Sequence, residues 1–240
     1  MLGSQMNYAP IALPFLSVLV FAFLVLVVLI QIGALRYAYR RIGLSAPAAS
    51  LLLLGSLFGS YFNLPIYQLP DAQVRSGEEV IFFGMRYVVP VVADWPGTII
   101  AVNVGGAVIP TLLSLYLLAK NQIWIRGALA TLAVAVICHM MAKPVAGIGI
   151  AVPIFVPPLA AAIVSVLLSA SYAAPLAYIS GSLGTLIGAD LLNLDKIQGL
   201  GAPVASIGGA GTFDGIFLAG IIAVLIASFS SGPVPSRAPR

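Results

Sequence analysis

Long apolar stretches, separated by short polar connections, dominate this chain. Seven of these stretches come close to the roughly 20 residues that an α-helix needs to cross the hydrocarbon core of a bilayer. They are residues 10–35, 44–62, 97–119, 123–142, 150–170, 173–193 and 212–231. A transmembrane β-barrel would show short segments of alternating hydrophobicity instead. The pattern therefore predicts an all-α, polytopic transmembrane helix bundle of about seven spans, with a single transmembrane domain over residues 1–232.

The composition favours a bilayer over water as the solvent of this chain. Hydrophobic residues make up 61% of the sequence and charged residues only 8%, whereas soluble domains carry about 25% charged residues. A bilayer suits such a chain because helices satisfy their own backbone polar groups. The net charge of +4 does not indicate nucleic-acid binding, since the basic residues lie scattered at predicted helix ends. The single cysteine, Cys138, allows no disulfide framework.

The distribution of charge predicts the orientation of the spans, because cytoplasmic connections are richer in lysine and arginine. Alternate connections and the carboxyl-terminal tail carry basic residues without acidic ones: Arg36, Arg40, Arg41, Lys120, Arg126, Arg237 and Arg240. The opposite connections hold all 7 acidic residues together with the remaining basic ones. We therefore expect a multi-pass protein of the cell membrane with its amino terminus outside and its carboxyl terminus in the cytoplasm.

Three segments depart from the pattern of simple spans. Residues 63–96 form a polar extracytoplasmic loop in which two β-prone runs flank Gly84, which predicts a small β-hairpin insertion within residues 80–89. Residues 143–158 contain several prolines, which interrupt helices, so a broken or re-entrant element is expected there. Residues 233–240 are predicted to be a disordered cytoplasmic tail.

Two aspartates are the main candidates for chemistry, because ionisable groups inside spans are costly and are functional candidates by default. Asp190 lies near the outer end of predicted span six, and Asp214 lies at the outer start of span seven. Antiparallel neighbours would bring the two carboxyls to similar depth, where they would share a proton and divide acid and base roles. Gly209 and Gly211 would let a substrate backbone approach closely. The alternative is structural: Asp214 caps its helix, and Asp190 makes a satisfied packing contact.

Other polar residues of the apolar stretches are candidates for substrate binding. His139 and Lys143 are spaced to lie on one helix face, where the lysine would neutralise an aspartate or bind an anion and the histidine would carry a proton. A hydrogen-bonded core histidine and a snorkelling lysine are the alternatives. Asn103 precedes Gly105 and Gly106, a pattern that favours close helix packing. Because these residues match no compact ligand motif, we predict no metal and no cofactor.

Two segments carry a family resemblance. GTLIGADLL at residues 184–192 and GGAGTFDGIF at residues 208–217 resemble a bacterial and archaeal family of uncharacterised polytopic membrane proteins, and the resemblance extends over most of the chain from span two onward. It implies a multi-span fold with a shared polar site and names no reaction. A looser resemblance is to presenilin-type and prepilin-peptidase-type intramembrane aspartyl proteases, which place one aspartate in a helix and a second after a Gly-x-Gly turn. Here two extra residues separate Gly211 from Asp214.

Three functional hypotheses follow. An intramembrane aspartyl hydrolase would use Asp190 and Asp214 to activate water against a membrane-protein segment. A transporter or channel would bind an ion or small solute at the same polar site, between the broken elements at 144–158 and 199–211. A structural or assembly subunit would present its extracytoplasmic hairpin to a partner. All three expect the lipid bilayer as a partner and none expects nucleic acid.

Overall fold

Helices make up most of the described part of the chain. The computed structural model describes residues 21–25, 28, 41–70, 79–82, 85–88, 97–145, 149–198, 200–209 and 215–230. Its α-helices are α1 (Ala46–Gly59), α2 (Ile109–Asn121), α3 (Trp124–Met141), α4 (Val156–Leu168), α5 (Ala173–Ile179) and α6 (Gly215–Ser230). Its strands are β1 (Asn63–Gln68), β2 (Glu79–Phe82), β3 (Met85–Val88), β4 (Ile99–Asn103), β5 (Lys143–Val145), β6 (Gly149–Ala151) and β7 (Val204–Ile207).

Three helical segments of the described residues are long and apolar enough to cross a membrane. They are Val104–Asn121, Trp124–Met141 and Ala170–Lys196, and they coincide with predicted spans three, four and six. A membrane-associated helical fold is therefore supported, whereas the count of seven spans is not confirmed. Helices α1, α4 and α6 fall within predicted spans two, five and seven and contain 14, 13 and 16 residues. Most of predicted span one, 10–35, lies outside the described residues.

Two of the crossing segments contain π-helical turns. Val104–Val108 is a π-helical turn that leads directly into α2. The segment Ala170–Lys196 begins with a 3₁₀ turn at Ala170–Tyr172 and continues as α5. It then passes through π-helical turns at Ser180–Gly184 and Leu186–Asp190 and ends in a 3₁₀-helix at Leu191–Lys196. Such turns are rare in helices and are frequent at functional sites.

A three-stranded sheet, ordered β1–β4–β7, joins segments that lie far apart in the sequence. Strand β1 is antiparallel to β4, and β4 is parallel to β7 with Ile99 opposite Val204. The prediction that span three begins at residue 97 is therefore wrong, because Ile99–Asn103 is a strand. Ile99, Ile100 and Val102 are β-branched and apolar. Such residues favour strands, although their apolar character also fits a membrane span.

The two predicted interruptions of the helical pattern are both β-hairpins. Strands β2 and β3 pair antiparallel, which confirms the hairpin predicted within 80–89. Strands β5 and β6 also pair antiparallel, so the helical structure is interrupted after α3, as predicted. The prediction that span five begins at residue 150 is wrong, because α4 begins only at Val156, with prolines in its first turn. Proline is well suited to that position, since the first helical amides need no partner.

Small residues let the central helices pack with their backbones close together. A Cβ atom on Gly184 would lie 2.7 Å from the Cβ of Val134, and one on Gly188 would collide with the backbone of Ala135. A Cβ atom on Gly181 would lie 3.2 Å from the Cα of Gly220 in α6. Close contacts of this kind are typical of helix interfaces in membranes. They place the segment Ala170–Lys196 in the centre of the bundle, between α3 and α6.

The connectivity separates two ends of the bundle. One end holds the connection between α2 and α3, where the Lys120 ammonium donates a hydrogen bond to the carbonyl oxygen of Gly43. Of the charged residues that the structure describes, this end has Arg41, Lys120 and Arg126 and no acidic residue. The other end, here called the sheet end, holds the three-stranded sheet, the β5–β6 hairpin and the termination of Ala170–Lys196 with Asp190 and Asp195.

Candidate functional site

Asp190 lies at the sheet end of the central segment and is partly buried. It is the last residue of the π-helical turn Leu186–Asp190, inside the segment that is long enough to cross a membrane. Its Oδ2 atom accepts a hydrogen bond of 2.7 Å from the backbone N–H of Gly208, the residue that follows β7. The carboxylate thus joins the irregular end of the segment Ala170–Lys196 to the backbone that follows β7. The expectation that Asp190 lies near the end of an apolar helix agrees with this position.

Two consecutive glycines make this approach possible. Gly208 and Gly209 have φ angles of +94° and +122°, which other residues rarely adopt. A Cβ atom on Gly208 would lie 2.6 Å from the backbone nitrogen of Ala107. The chain after β7 therefore packs directly on the π-helical turn after β4, and Gly208 presents its N–H to Asp190. Binding of a substrate at Gly209 stays a prediction.

Asn103 is the centre of a buried hydrogen-bond network beside this contact. Its Nδ2 group donates to the carbonyl oxygen of Ser60 at 2.8 Å and to Oδ1 of Asn63 at 3.0 Å. Its Oδ1 atom accepts from the backbone N–H of Gly106 at 2.9 Å. The hydroxyl of Ser206 in β7 donates to Oδ1 of Asn63 at 2.6 Å. The amide of Asn103 therefore ties α1, β1 and the start of α2 together, and both of its amide hydrogens are already used.

Asn193 and Lys196 form a second satisfied group, and neither was among the predicted site residues. The Nδ2 group of fully buried Asn193 donates to the carbonyl oxygens of Gly188 and Ala189, each at 2.9 Å. Its Oδ1 atom accepts from Nζ of Lys196 at 2.7 Å. Since irregular helix ends leave carbonyls without helical partners, Asn193 stabilises the turn that carries Asp190. The Asn-x-x-Lys spacing was the available sequence signal.

His139 and Lys143 do not share a helix face, so that prediction is wrong. Helix α3 ends at Met141, and Lys143 is an exposed residue of β5. The interruption begins earlier than the apolar pattern indicates because Pro144 disfavours helical geometry at the residue before it. His139 is partly buried, and its Nδ1 atom has no hydrogen-bond partner within the described ranges. Substrate binding by either residue remains a prediction.

The predicted pairing of Asp190 with Asp214 falls outside the described residues, as does Gly211. Within the ranges that the structure describes, Asp190 has no ion pair, and its one hydrogen bond is the bond from Gly208. Among the same residues, no group of three or more histidine, cysteine, aspartate or glutamate side chains is placed to hold a metal ion. The described geometry is therefore that of a lone carboxylate held by a single backbone amide.

Comparison with known proteins places this arrangement in a family. The family described as "Protein of unknown function (DUF1614)" matches residues 57–226, a range that contains Asn103, Asp190 and Gly208. No curated protein and no solved structure matches the chain. The resemblance to an uncharacterised family is thereby confirmed, and the looser resemblance to intramembrane aspartyl proteases is not supported. The chain belongs to the DUF1614 family of proteins of unknown function.

Proposed function

We propose that this chain is a membrane transporter or channel that binds a monovalent cation, a proton or a sodium ion, at Asp190. The observation that carries the proposal is the hydrogen bond of 2.7 Å between Oδ2 of Asp190 and the N–H of Gly208. It holds a carboxylate inside a segment that can cross a membrane, on the backbone of a second, non-helical element. Ionisable residues inside segments that cross a membrane mark ion pathways and proton relays.

The backbone around Asp190 supports transport. Secondary transporters build their ion sites from discontinuous helices, whose unwound segments supply polar backbone groups. Here Asp190 ends the second of two π-helical turns, and its partner Gly208 lies between β7 and α6. Extended backbone at membrane depth is stable only where protein covers it or where it lines a polar cavity. The arrangement therefore matches the construction of an ion site.

An internal correspondence also supports this proposal. Strand β4 is followed by Val104 and then by Gly-Gly-Ala at residues 105–107 before α2, and strand β7 is followed directly by Gly-Gly-Ala at residues 208–210 before α6. Because β4 and β7 are parallel, the two units enter the bundle in the same direction. This direction agrees with the predicted order of the spans. Spans three and seven would start on the same side of the membrane, because an even number of crossings separates their starts. Repeated units that meet at a polar site are typical of transporters.

Charge argues for a monovalent partner. A carboxylate in a low-dielectric site is strongly disfavoured unless it is neutralised. In the part of the chain that the structure describes, no basic side chain pairs with Asp190, since Lys196 bonds to Asn193. One proton or one sodium ion would neutralise the carboxylate completely, whereas a divalent ion would leave an uncompensated positive charge. The site is thus suited to a single positive charge.

The test is ion flux through proteoliposomes that contain purified protein. We expect the wild type to carry radioactive sodium or to change the signal of a pH-sensitive dye in the lumen. The Asp190→Asn variant should lose this flux by a factor of at least about ten, because an amide does not replace the negative charge. Asp195→Asn is the matched control: it makes the same substitution at an exposed residue of the same end, and it should keep wild-type flux.

Equal flux through wild type and Asp190→Asn, with both proteins monodisperse and folded, would contradict the proposal. A loss in Asp195→Asn equal to that in Asp190→Asn would also contradict it, because the effect would then follow the net charge of the sheet end. The hydrolase hypothesis predicts a different pattern. It requires Asp214, so Asp214→Asn and Asp190→Asn would both change the set of membrane-protein fragments in cells without altering ion flux.

The orientation of the chain is part of this proposal and has its own test. Arg41, Lys120 and Arg126 lie at one end of the bundle, which the positive-inside rule assigns to the cytoplasm. In a Cys138→Ala background, we expect Asp195→Cys to react with a membrane-impermeant maleimide on intact cells. Gln122→Cys, at the turn between α2 and α3, should react only after the membrane is permeabilised. Labelling of Gln122→Cys alone on intact cells would reverse the orientation.

A further inference from the structure

Strand β1 exposes apolar side chains along its length. Leu64, Ile66 and Tyr67 are 54%, 62% and 62% exposed, although strand residues usually alternate between a covered and an open face. The surface continues into the end of α1 and the turn before β1. Together, Phe58, Tyr61, Phe62, Leu64, Ile66 and Tyr67 form what we call the aromatic edge. A continuous apolar surface of this kind marks an interaction site.

The backbone of β1 restricts where this surface lies. Strand β1 is the terminal strand of its sheet, and no other strand of the described residues pairs with its outer side. An open strand edge cannot lie in the hydrocarbon core, because nothing there bonds its N–H and C=O groups. Its apolar side chains, however, disfavour full exposure to water. Both conditions are met together at the level of the lipid headgroups, where ester oxygens and water are available beside the acyl chains.

The surroundings of the aromatic edge favour lipid over a protein partner. Residues 46–70 contain no charged side chain, so nothing there would provide a charge-based register with another protein. The aromatic edge is also continuous with exposed Leu51 and Leu54 of α1, which point outward on a helix within predicted span two. The surface therefore extends a face that already suits acyl chains.

A second aromatic set lies at the opposite end of the bundle. Tyr116 and Trp124 are each 48% exposed, and Lys120 lies over the ring of Tyr116 at 5.4 Å from its centroid. Tyr116 lies in the last turns of the segment Val104–Asn121, and Trp124 follows that segment. From the sheet end to this turn the segment contains 18 residues, or roughly 27 Å of helix. This length is close to the hydrocarbon thickness of about 30 Å. Tyrosine and tryptophan rings concentrate at both interfaces of a bilayer.

We infer that the aromatic edge is an interfacial lipid-binding surface, so that β1 lies among the phospholipid headgroups of one leaflet and fixes the depth of the sheet end. The inference requires only that the chain spans a bilayer and is independent of cation transport at Asp190. It assigns a β-strand the anchoring role that aromatic residues at helix ends usually have.

The test measures the depth of single tryptophans in liposomes. With Trp95 and Trp124 replaced by phenylalanine, Phe62→Trp and Tyr67→Trp each place a probe on the aromatic edge, and Leu132→Trp places one on the exposed middle of α3. We expect lipids brominated near the headgroup to quench the aromatic-edge probes about twofold more than lipids brominated near the chain methyl. The Leu132→Trp probe should show the reverse order.

Two other results would overturn the inference. Strong quenching of both aromatic-edge probes by aqueous iodide, without quenching by either lipid, would place β1 in water. Protection from iodide and from both lipids would show that protein, such as a second copy of the chain paired along β1, covers the surface. Leu132→Trp is the control for insertion into the bilayer. Its quenching by deep bromines shows that the protein folds in the bilayer, even where an aromatic-edge variant does not.

Discussion

Replacing Gly105 with alanine is expected to destabilise the folded protein by about 3 kcal/mol, at the upper end of the usual cost of overpacking. A Cβ atom at this position would lie well inside 3.0 Å of the carbonyl oxygen of Ser56 and the backbone nitrogen of Ser60. Both atoms belong to backbone that cannot rotate away. The shift would also break the hydrogen bond of 2.6 Å from the Ser56 hydroxyl to the Gly105 carbonyl. The midpoint of thermal unfolding in detergent micelles measures the loss.

Gly55→Ala provides the matched control for this prediction. Gly55 lies inside α1, and a Cβ atom there would meet only Cδ1 of Ile109 at 3.7 Å, an ordinary contact. Because alanine is a better helix former than glycine by roughly 1 kcal/mol, this variant should be as stable as the wild type or more stable. If Gly105→Ala unfolded at the same temperature as Gly55→Ala, α1 would not lie as close to the π-helical turn Val104–Val108 as the structure shows.

The spans that the sequence predicted best are those in which hydrophobicity is uniform and the ends are marked. Predicted span four, 123–142, corresponds to Trp124–Met141, and predicted span six, 173–193, lies within Ala170–Lys196. Span four is bounded by a polar Asn-Gln turn and by Lys143 with Pro144, and such signals stop helices for local reasons. Local chemistry therefore sufficed for these elements.

The three-stranded sheet could not be predicted in the same way. Its strands come from residues 63–68, 99–103 and 204–207. Each is too short for periodicity to identify it as a strand, and residues 99–103 belong to an apolar stretch that predicts a helix. What makes Ile99–Asn103 a strand is its pairing with two distant segments. The burial of the Thr98 hydroxyl against the carbonyl of Ala202, at 2.8 Å, is another contact of this kind. Such long-range pairing leaves no mark in the local sequence.

In the candidate site, too, one part could be predicted from the local sequence and another part could not. Asp190 could be identified from the sequence because a carboxylate in an apolar stretch is costly wherever it lies. Its partner could not, because the donor is the backbone N–H of Gly208, and a backbone donor has no side-chain signature. The glycines before Asp214 were the only indication, and Gly209 and Gly211 were interpreted as space for a substrate. In the structure, the segment after β7 lies close to Asp190 at Gly208, so this space is occupied by the protein's own backbone.

Asn103→Ala is expected to destabilise the protein by about 4 kcal/mol, because two buried backbone groups each lose the side-chain partner that Asn103 provides. The N–H of Gly106 and the carbonyl of Ser60 would each lose a side-chain hydrogen bond, and an orphaned buried polar group costs about 1–3 kcal/mol. Asn63 would keep its bond from Ser206. Thermal unfolding in micelles, followed by circular dichroism, should show a large decrease in midpoint.

Asn121→Ala makes the same substitution where little depends on it. The Asn121 side chain donates a single hydrogen bond of 2.9 Å to the Leu117 carbonyl within its own helix, and its loss should cost about 1 kcal/mol or less. Equal midpoints for the two variants would mean that Asn103 does not hold the segments together. The comparison also separates structure from ligand binding: if Asn103 only binds a solute, Asn103→Ala would lower flux in proteoliposomes while unfolding at the wild-type temperature. We expect instead that flux and stability fall together, because the amide groups of Asn103 are already bonded to the protein.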